Sequence, residues 1–299
     1  MAKGKAYWEG RTEQLFNAQD KRNATTMNRL EKEYNRTASA IDNDIASYFA
    51  KYGKEDVIEY RKLVKRLNKS ERDLLYQNYD AFIDKYPQHA RLMPVRESIY
   101  RLNRLEGLQL STRQNMLELG AIEQVEFDKA LKTAYRSGYL STMRGLQNSE
   151  AFFSVQDEIL EQTLNTKWIN GENFSDRIWG NKEKLIRTLN TEVRDAFIRQ
   201  ESYAKMKGIL QYRTGVGQYD ARRLIETEAS FIMNQANGQA FQDDGIKRYE
   251  NSAVLDGQTS DICESMNGER FLFTEARVSE NYPPYHSFCR TIVIPVENR

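Results

Sequence analysis

Three residues near the C-terminal end of the chain, Cys263, His286 and Cys289, are of types that can act together on a metal. They include both cysteines of the chain and one of its two histidines. Zinc is bound by cysteine thiolates and imidazole nitrogen in tetrahedral sites. His286 and Cys289 are three positions apart, so on one helical turn their side chains would face the same way. Cys263 follows the turn Asp256-Gly257-Gln258-Thr259 and meets that pair if the flanking strands form a hairpin. Asp256 or Asp261 can supply a fourth ligand, and no Cys-x2-Cys pair completes a zinc signature. Other readings of the same residues stay open. The cysteines can be small buried hydrophobes, with His286 fixing a loop. They can form a disulfide, or a cysteine and the histidine can serve as nucleophile and base.

No glycine-rich phosphate loop, His-Glu-x-x-His pair or nucleophile elbow accompanies them. Glu226-Thr227-Glu228 reads as the solvated face of a polar helix, and His89, between Pro87 and Pro94, as a solvated loop residue. The residues make no positive case for an enzyme.

The elements that must position the three residues change character along the chain. From Thr25 to Tyr52, Met27, Leu30, Tyr34, Ala38, Ile41, Ile45, Tyr48, Phe49 and Tyr52 recur at spacings of three and four. This predicts a helix of about seven turns with one face toward a core. Helices are expected over 55–67 and from Ser70, as N-cap, to Tyr86 before Pro87. No proline falls between Pro94 and Pro283, which permits long helices. Breaks are expected near Gly107 and Gly120, with further helices over 182–202, 203–212 and 220–242. Asn170-Gly171 marks a turn, with Ser175 as the following cap and Trp168 and Trp179 pinning the turn to a core. Gly215-Val216-Gly217 reads as a linker, and Gly245 ends the last helix. Ile246–Leu255, Glu269–Phe273 and Arg290–Val296 are β-like. The expected fold is mainly α: an elongated multi-helix body with a small C-terminal α+β cap. The expected parts are an N-terminal long-helix region (1–164), a central helical region (165–245) and a small α+β module (246–299). In this reading the last module is stapled onto the helix ending at Gln242, with Cys263, His286 and Cys289 clustered.

The 299 residues are 39 % hydrophobic and 29 % charged, with 17 Tyr and 13 Phe and a formal net charge of +1. That composition can build a core and exerts no global pull on nucleic acid or anionic membrane. No apolar run is long enough to span a membrane. The first residues lack the apolar stretch of a secretory signal, and two cysteines make no disulfide framework. Synthesis in a reducing cytoplasm is expected.

Asp256, Thr259, Cys263, Gly268, Pro283, Pro284, His286, Cys289 and Arg290 together resemble the C-terminal domain of the phage Mu F-like, or SPP1-type, minor head protein (head morphogenesis) family. Ala221-Arg222-Arg223-Leu224-Ile225-Glu226-Thr227-Glu228 is similar to that family's arginine-rich helix ending in Thr-Glu. Asn173–Trp179 and the set Tyr7, Trp8 and Arg11 resemble the longer form found in tailed phages of Gram-positive bacteria. Two departures remove metal ligands that some members carry: Met266 stands where they have a second cysteine, and Thr291 where many end Cys-Arg-Cys. The resemblance implies a virion component, a minor capsid protein assembled in the host cytoplasm and carried inside the head near the portal vertex. It implies action in procapsid assembly and in DNA delivery (ejection). The implied partners are the portal protein, scaffold or major capsid protein, and packaged DNA. The alternative from another class is a nucleic-acid-binding or toxin-like enzyme using the C-terminal Cys/His module. Against an effector, the chain stops at Arg299, directly after the module.

Overall fold

The first helix, α1, runs Lys5–Tyr52, starting twenty residues before the apolar stripe that predicts it. Its early turns bury Trp8 and Phe16, but also Gln19, Asn23 and Thr26. Polar residues on the inward face hide the period there. The computed structural model describes residues 4–146, 154–257 and 259–296. The fold is mainly α with a small C-terminal α+β part, as expected.

Further elements are α2 (Tyr60–Leu63), α3 (Lys69–Lys85), α4 (Arg104–Leu146), α5 (Asp157–Leu164), α6 (Phe174–Ile198), α7 (Tyr203–Asp243) and α8 (Asp261–Met266). The strands are β1 (Arg248–Ser252), β2 (Arg270–Leu272) and β3 (Ile292–Val296). Several boundaries differ from the sequence reading. The helix expected over 55–67 shrinks to α2, because Glu55 and Asp56 adopt positive φ. Asn68, not Ser70, caps α3: its side chain accepts from the Glu71 N–H while Glu71 accepts from the Asn68 N–H. Asn173 plays the same part for α6 in place of Ser175, paired with Asp176. The Asn170-Gly171 turn is present, both residues at positive φ.

Three expected interruptions do not exist. α4 passes through Gly107 and Gly120, and α7 passes through the supposed linker. Gly217 serves a close approach instead: a Cβ there would lie 3.0 Å from Tyr34 Cε1 and 2.9 Å from Leu185 Cδ2. Its bare backbone lets the Tyr34 hydroxyl come within 3.0 Å of its carbonyl oxygen.

The chain forms two compact units, each drawing residues from α1, α4, α6 and α7. One comprises 29–125 and 178–220. Its core holds Leu30, Ile41, Ile45, Leu63, Leu189 and Phe197. Within it lies a buried ion pair, Lys182 Nζ to Glu123 Oε2 at 2.6 Å. Tyr34 joins the pair, donating to Glu123 at 2.8 Å and accepting from Lys182. Burial, then the Glu123 charge, drives the Tyr34 pKa well up, so its proton stays in place. Trp179 donates to Gln124 at 2.9 Å, and His89 packs 4.4 Å from the Trp179 ring. His89 is thus a half-buried packing residue rather than a solvated one.

The other unit comprises 1–28, 126–177 and 221–299 and holds the three metal-type residues. Its sheet has the order β2-β1-β3, all neighbours antiparallel, with Glu250 opposite both Arg270 and Ile294. Trp8, Phe16, Met233, Phe241, Tyr249, Tyr282 and Ile292–Ile294 form one core cluster. The part of α7 from Ala221 onward is buried on nearly every side, the environment of a central helix. Its polar residues therefore need partners. Glu228 is 2 % exposed, so the solvated-face reading of Glu226-Thr227-Glu228 fails there. Glu228 pairs with Arg177 and accepts from the Trp168 indole at 3.1 Å, and Trp168 stacks on Phe231 at 4.7 Å.

Candidate metal centre

Cys263 is set by a short helix inside a hairpin. β1 and β2 pair with Tyr249 opposite Phe271, and their connection contains α8. Gly268, at φ +87, turns the chain back so that its N–H meets the Asn251 carbonyl at 2.8 Å. Ser260 caps α8, its hydroxyl accepting from the Cys263 N–H. In the preceding turn, Thr259 N–H meets the Asp256 carbonyl at 3.1 Å, while Gln258 lies outside the described residues.

His286 and Cys289 come from a turn, not from a helix. The Cys289 N–H donates to the His286 carbonyl at 3.3 Å, and Phe288 sits at φ +61. One face of α7 holds this segment in place. Thr227 Oγ1 accepts from the Phe288 N–H at 3.3 Å, and Ser230 donates to the Cys289 carbonyl at 2.9 Å. Asn234 donates to the Thr291 carbonyl at 3.1 Å and accepts from the Val293 N–H at 3.2 Å. These residues stand at i, i+3 and i+7, so the helix offers a column of hydrogen-bonding groups to an extended chain. The sequence reading gave no part to Ser230 or Asn234 and placed Thr227 on a solvated face. The available signal was polar residues recurring at helical spacing within an otherwise apolar stretch.

The result brings Cys263, His286 and Cys289 together. Cys263 Sγ lies 3.1 Å from His286 Nε2 and 3.6 Å from Cys289 Sγ, and neither cysteine is in a disulfide. All three ligand atoms lie within 4.8 Å of one another, as binding to a single ion requires. His286 Nδ1 is 2.7 Å from the Ser287 carbonyl oxygen, which can only accept. Nδ1 therefore carries a proton, which leaves Nε2 as the ring nitrogen facing the sulfurs and, in the neutral ring, the one free to bind a metal. That orientation through the remote nitrogen is what metal-binding histidines use. The Ser260 hydroxyl also lies 2.8 Å from Nε2, within hydrogen-bonding distance. One thiol of the pair ionises readily. The hydrogen bond with Cys289 is the main cause that brings Cys263 to about 5. The same contact, with burial, pushes Cys289 upward.

Asp256 and Asp261 stand outside this group. Asp256 pairs with Arg290 at 3.1 Å, and Asp261 lies exposed in the first turn of α8. Cys289 also lines a cleft with Asp20, Arg222, Glu226 and Arg290. Burial raises the carboxyls of Asp20 and Glu226, opposed by Arg290 and Arg222 respectively.

Among the described residues no helix is long and apolar enough to cross a membrane. Residues 187–294 match the family described as Phage Mu protein F like protein. The match covers α7, β1, β2, the start of β3 and the Cys/His/Cys group, where the sequence resemblance is densest, and it supports a phage head morphogenesis family. The motifs at 7–11 and 173–179 lie outside it. No curated protein and no solved structure matches the chain.

Proposed function

We propose, from the Mu F-like match over residues 187–294, that the chain is a minor capsid protein of a tailed bacteriophage. In this reading it joins the procapsid in the host cytoplasm, stands at the portal vertex inside the head and acts in head assembly and DNA delivery. Its partners would be the portal oligomer and, beside it, scaffold or major capsid protein and packaged DNA. The match is the observation that carries the reading. Long helices with mixed-sign surfaces are compatible with it, because they offer extended area for protein contacts. The test is co-expression with the portal protein of the same phage. The two are expected to co-purify through size exclusion, and clean separation while the portal oligomer stays intact would count against portal association.

For the C-terminal module we propose one zinc ion held by Cys263, His286 and Cys289, with a structural role. Bound there, it would tie α8 to the segment entering β3. Burial of both sulfurs, 4 % exposed for Cys263 and 2 % for Cys289, favours a structural ion over an enzyme nucleophile, and no enzymatic activity is assigned. Elemental analysis of the reduced protein is expected to give about one zinc per chain. A content near zero after purification with zinc present sinks this part of the reading.

A further inference from the structure

The group of three leaves one corner of a tetrahedral site without a cysteine, histidine or carboxylate. The side chain beside it is Thr291. This residue is 1 % exposed, and its hydroxyl makes no hydrogen bond of normal geometry. The hydroxyl faces the Cys263 sulfur without forming a bond of normal geometry. A buried hydroxyl without a well-formed hydrogen bond is uncommon and calls for an explanation at that place. Its backbone is fixed from both sides: Asn234 holds the Thr291 carbonyl, and Ile292 next to it is paired with Ser252.

We propose that Thr291 is the fourth corner of this site, its oxygen offered where a closed zinc site carries a fourth thiolate or imidazole. The inference rests on the zinc reading above and adds the identity of the missing corner. A neutral hydroxyl is a weaker donor to zinc than a thiolate. The site would therefore hold its structural ion less tightly than one closed by a third thiolate. A cysteine at this position would close the site.

The test uses the reduced, metal-free, full-length protein titrated with Co2+, whose sulfur-to-cobalt charge-transfer band reports the number of thiolates. Wild type is expected to show a two-thiolate band. Thr291→Cys is expected to raise that band about one-and-a-half-fold, as three thiolates replace two, and to bind at least about tenfold more tightly. Thr291→Val keeps the volume and removes the oxygen. It should keep the two-thiolate band and lose about 10- to 100-fold in affinity. If wild type binds cobalt but Thr291→Cys changes neither band nor affinity, or Thr291→Val binds as tightly as wild type, the fourth-corner assignment is overturned and the zinc reading survives. If wild type takes up no cobalt at all, the zinc reading itself fails.

Discussion

Glu71 illustrates how much one carboxylate can be asked to do. It closes the cap of α3, accepts from the Asn68 N–H at 2.8 Å, and receives Lys51 at 2.6 Å and the Tyr52 hydroxyl. Burial alone would raise its pKa, but the bonds from Lys51, Tyr52 and Asn68 outweigh it and bring the group to about 2, from an ordinary 4.5. The folded state therefore favours the ionised form. Its contribution to stability is full above about pH 4.5 and disappears as the pH falls toward 2. Denaturant melts from pH 7 down to pH 3 should show wild type losing stability in this window. Glu71→Gln should start lower and lose less, and parallel curves would show that Glu71 is not the group responsible. At the same scale, the cluster of Cys263, His286 and Cys289 was legible from residue type and spacing. For the proposed fourth corner, the sequence shows only that Thr291 stands where many members of the resembled family have a cysteine. Threonine itself carries no metal signature, and the burial of its hydroxyl is visible only in the structure.

At the scale of elements, the helix stripes were readable wherever inward positions were apolar, as over 27–52. They were unreadable where the inward face was polar. Gln19 and Asn23 face inward in α1, with the Gln19 amide donating to Asn23 at 2.8 Å. Thr227, Ser230 and Asn234 do so in α7. The glycines misled for a related reason. Glycine is a breaker by propensity, yet at Gly217 it is there to let another side chain reach the helix backbone. The same bundle contains the Lys182–Glu123 pair, 2 % and 0 % exposed. Removing one partner leaves a buried charge alone, so Lys182→Met should cost about 3–5 kcal/mol. The double variant Lys182→Met with Glu123→Leu should recover most of that loss. Urea denaturation of the single and double variants measures both. If the single change is nearly neutral, the pair is not the buried, dry contact described.

At the scale of the whole molecule, neither unit is a continuous stretch of sequence. The sequence reading divides the chain by composition, which shows where helices give way to strands but not which distant helices share a core. The unit with the metal-type residues takes its parts from 1–28, 126–177 and 221–299. Closing contacts across such separations carries a loop-entropy cost that must be met before the contacts reward it. This has a consequence for the order of events on the ribosome. Trp8 emerges early, whereas Phe241, which meets its ring edge-on at 5.5 Å, is made more than two hundred residues later. At about 5–20 residues per second, the first turns of α1 wait on the order of ten seconds or more with that aromatic surface uncovered. The last partners to arrive are Ile292–Ile294 of β3. A nascent chain paused before β3 is therefore the species most exposed to premature association, with itself or with a chaperone, and the final strand works as the latch that ends that interval.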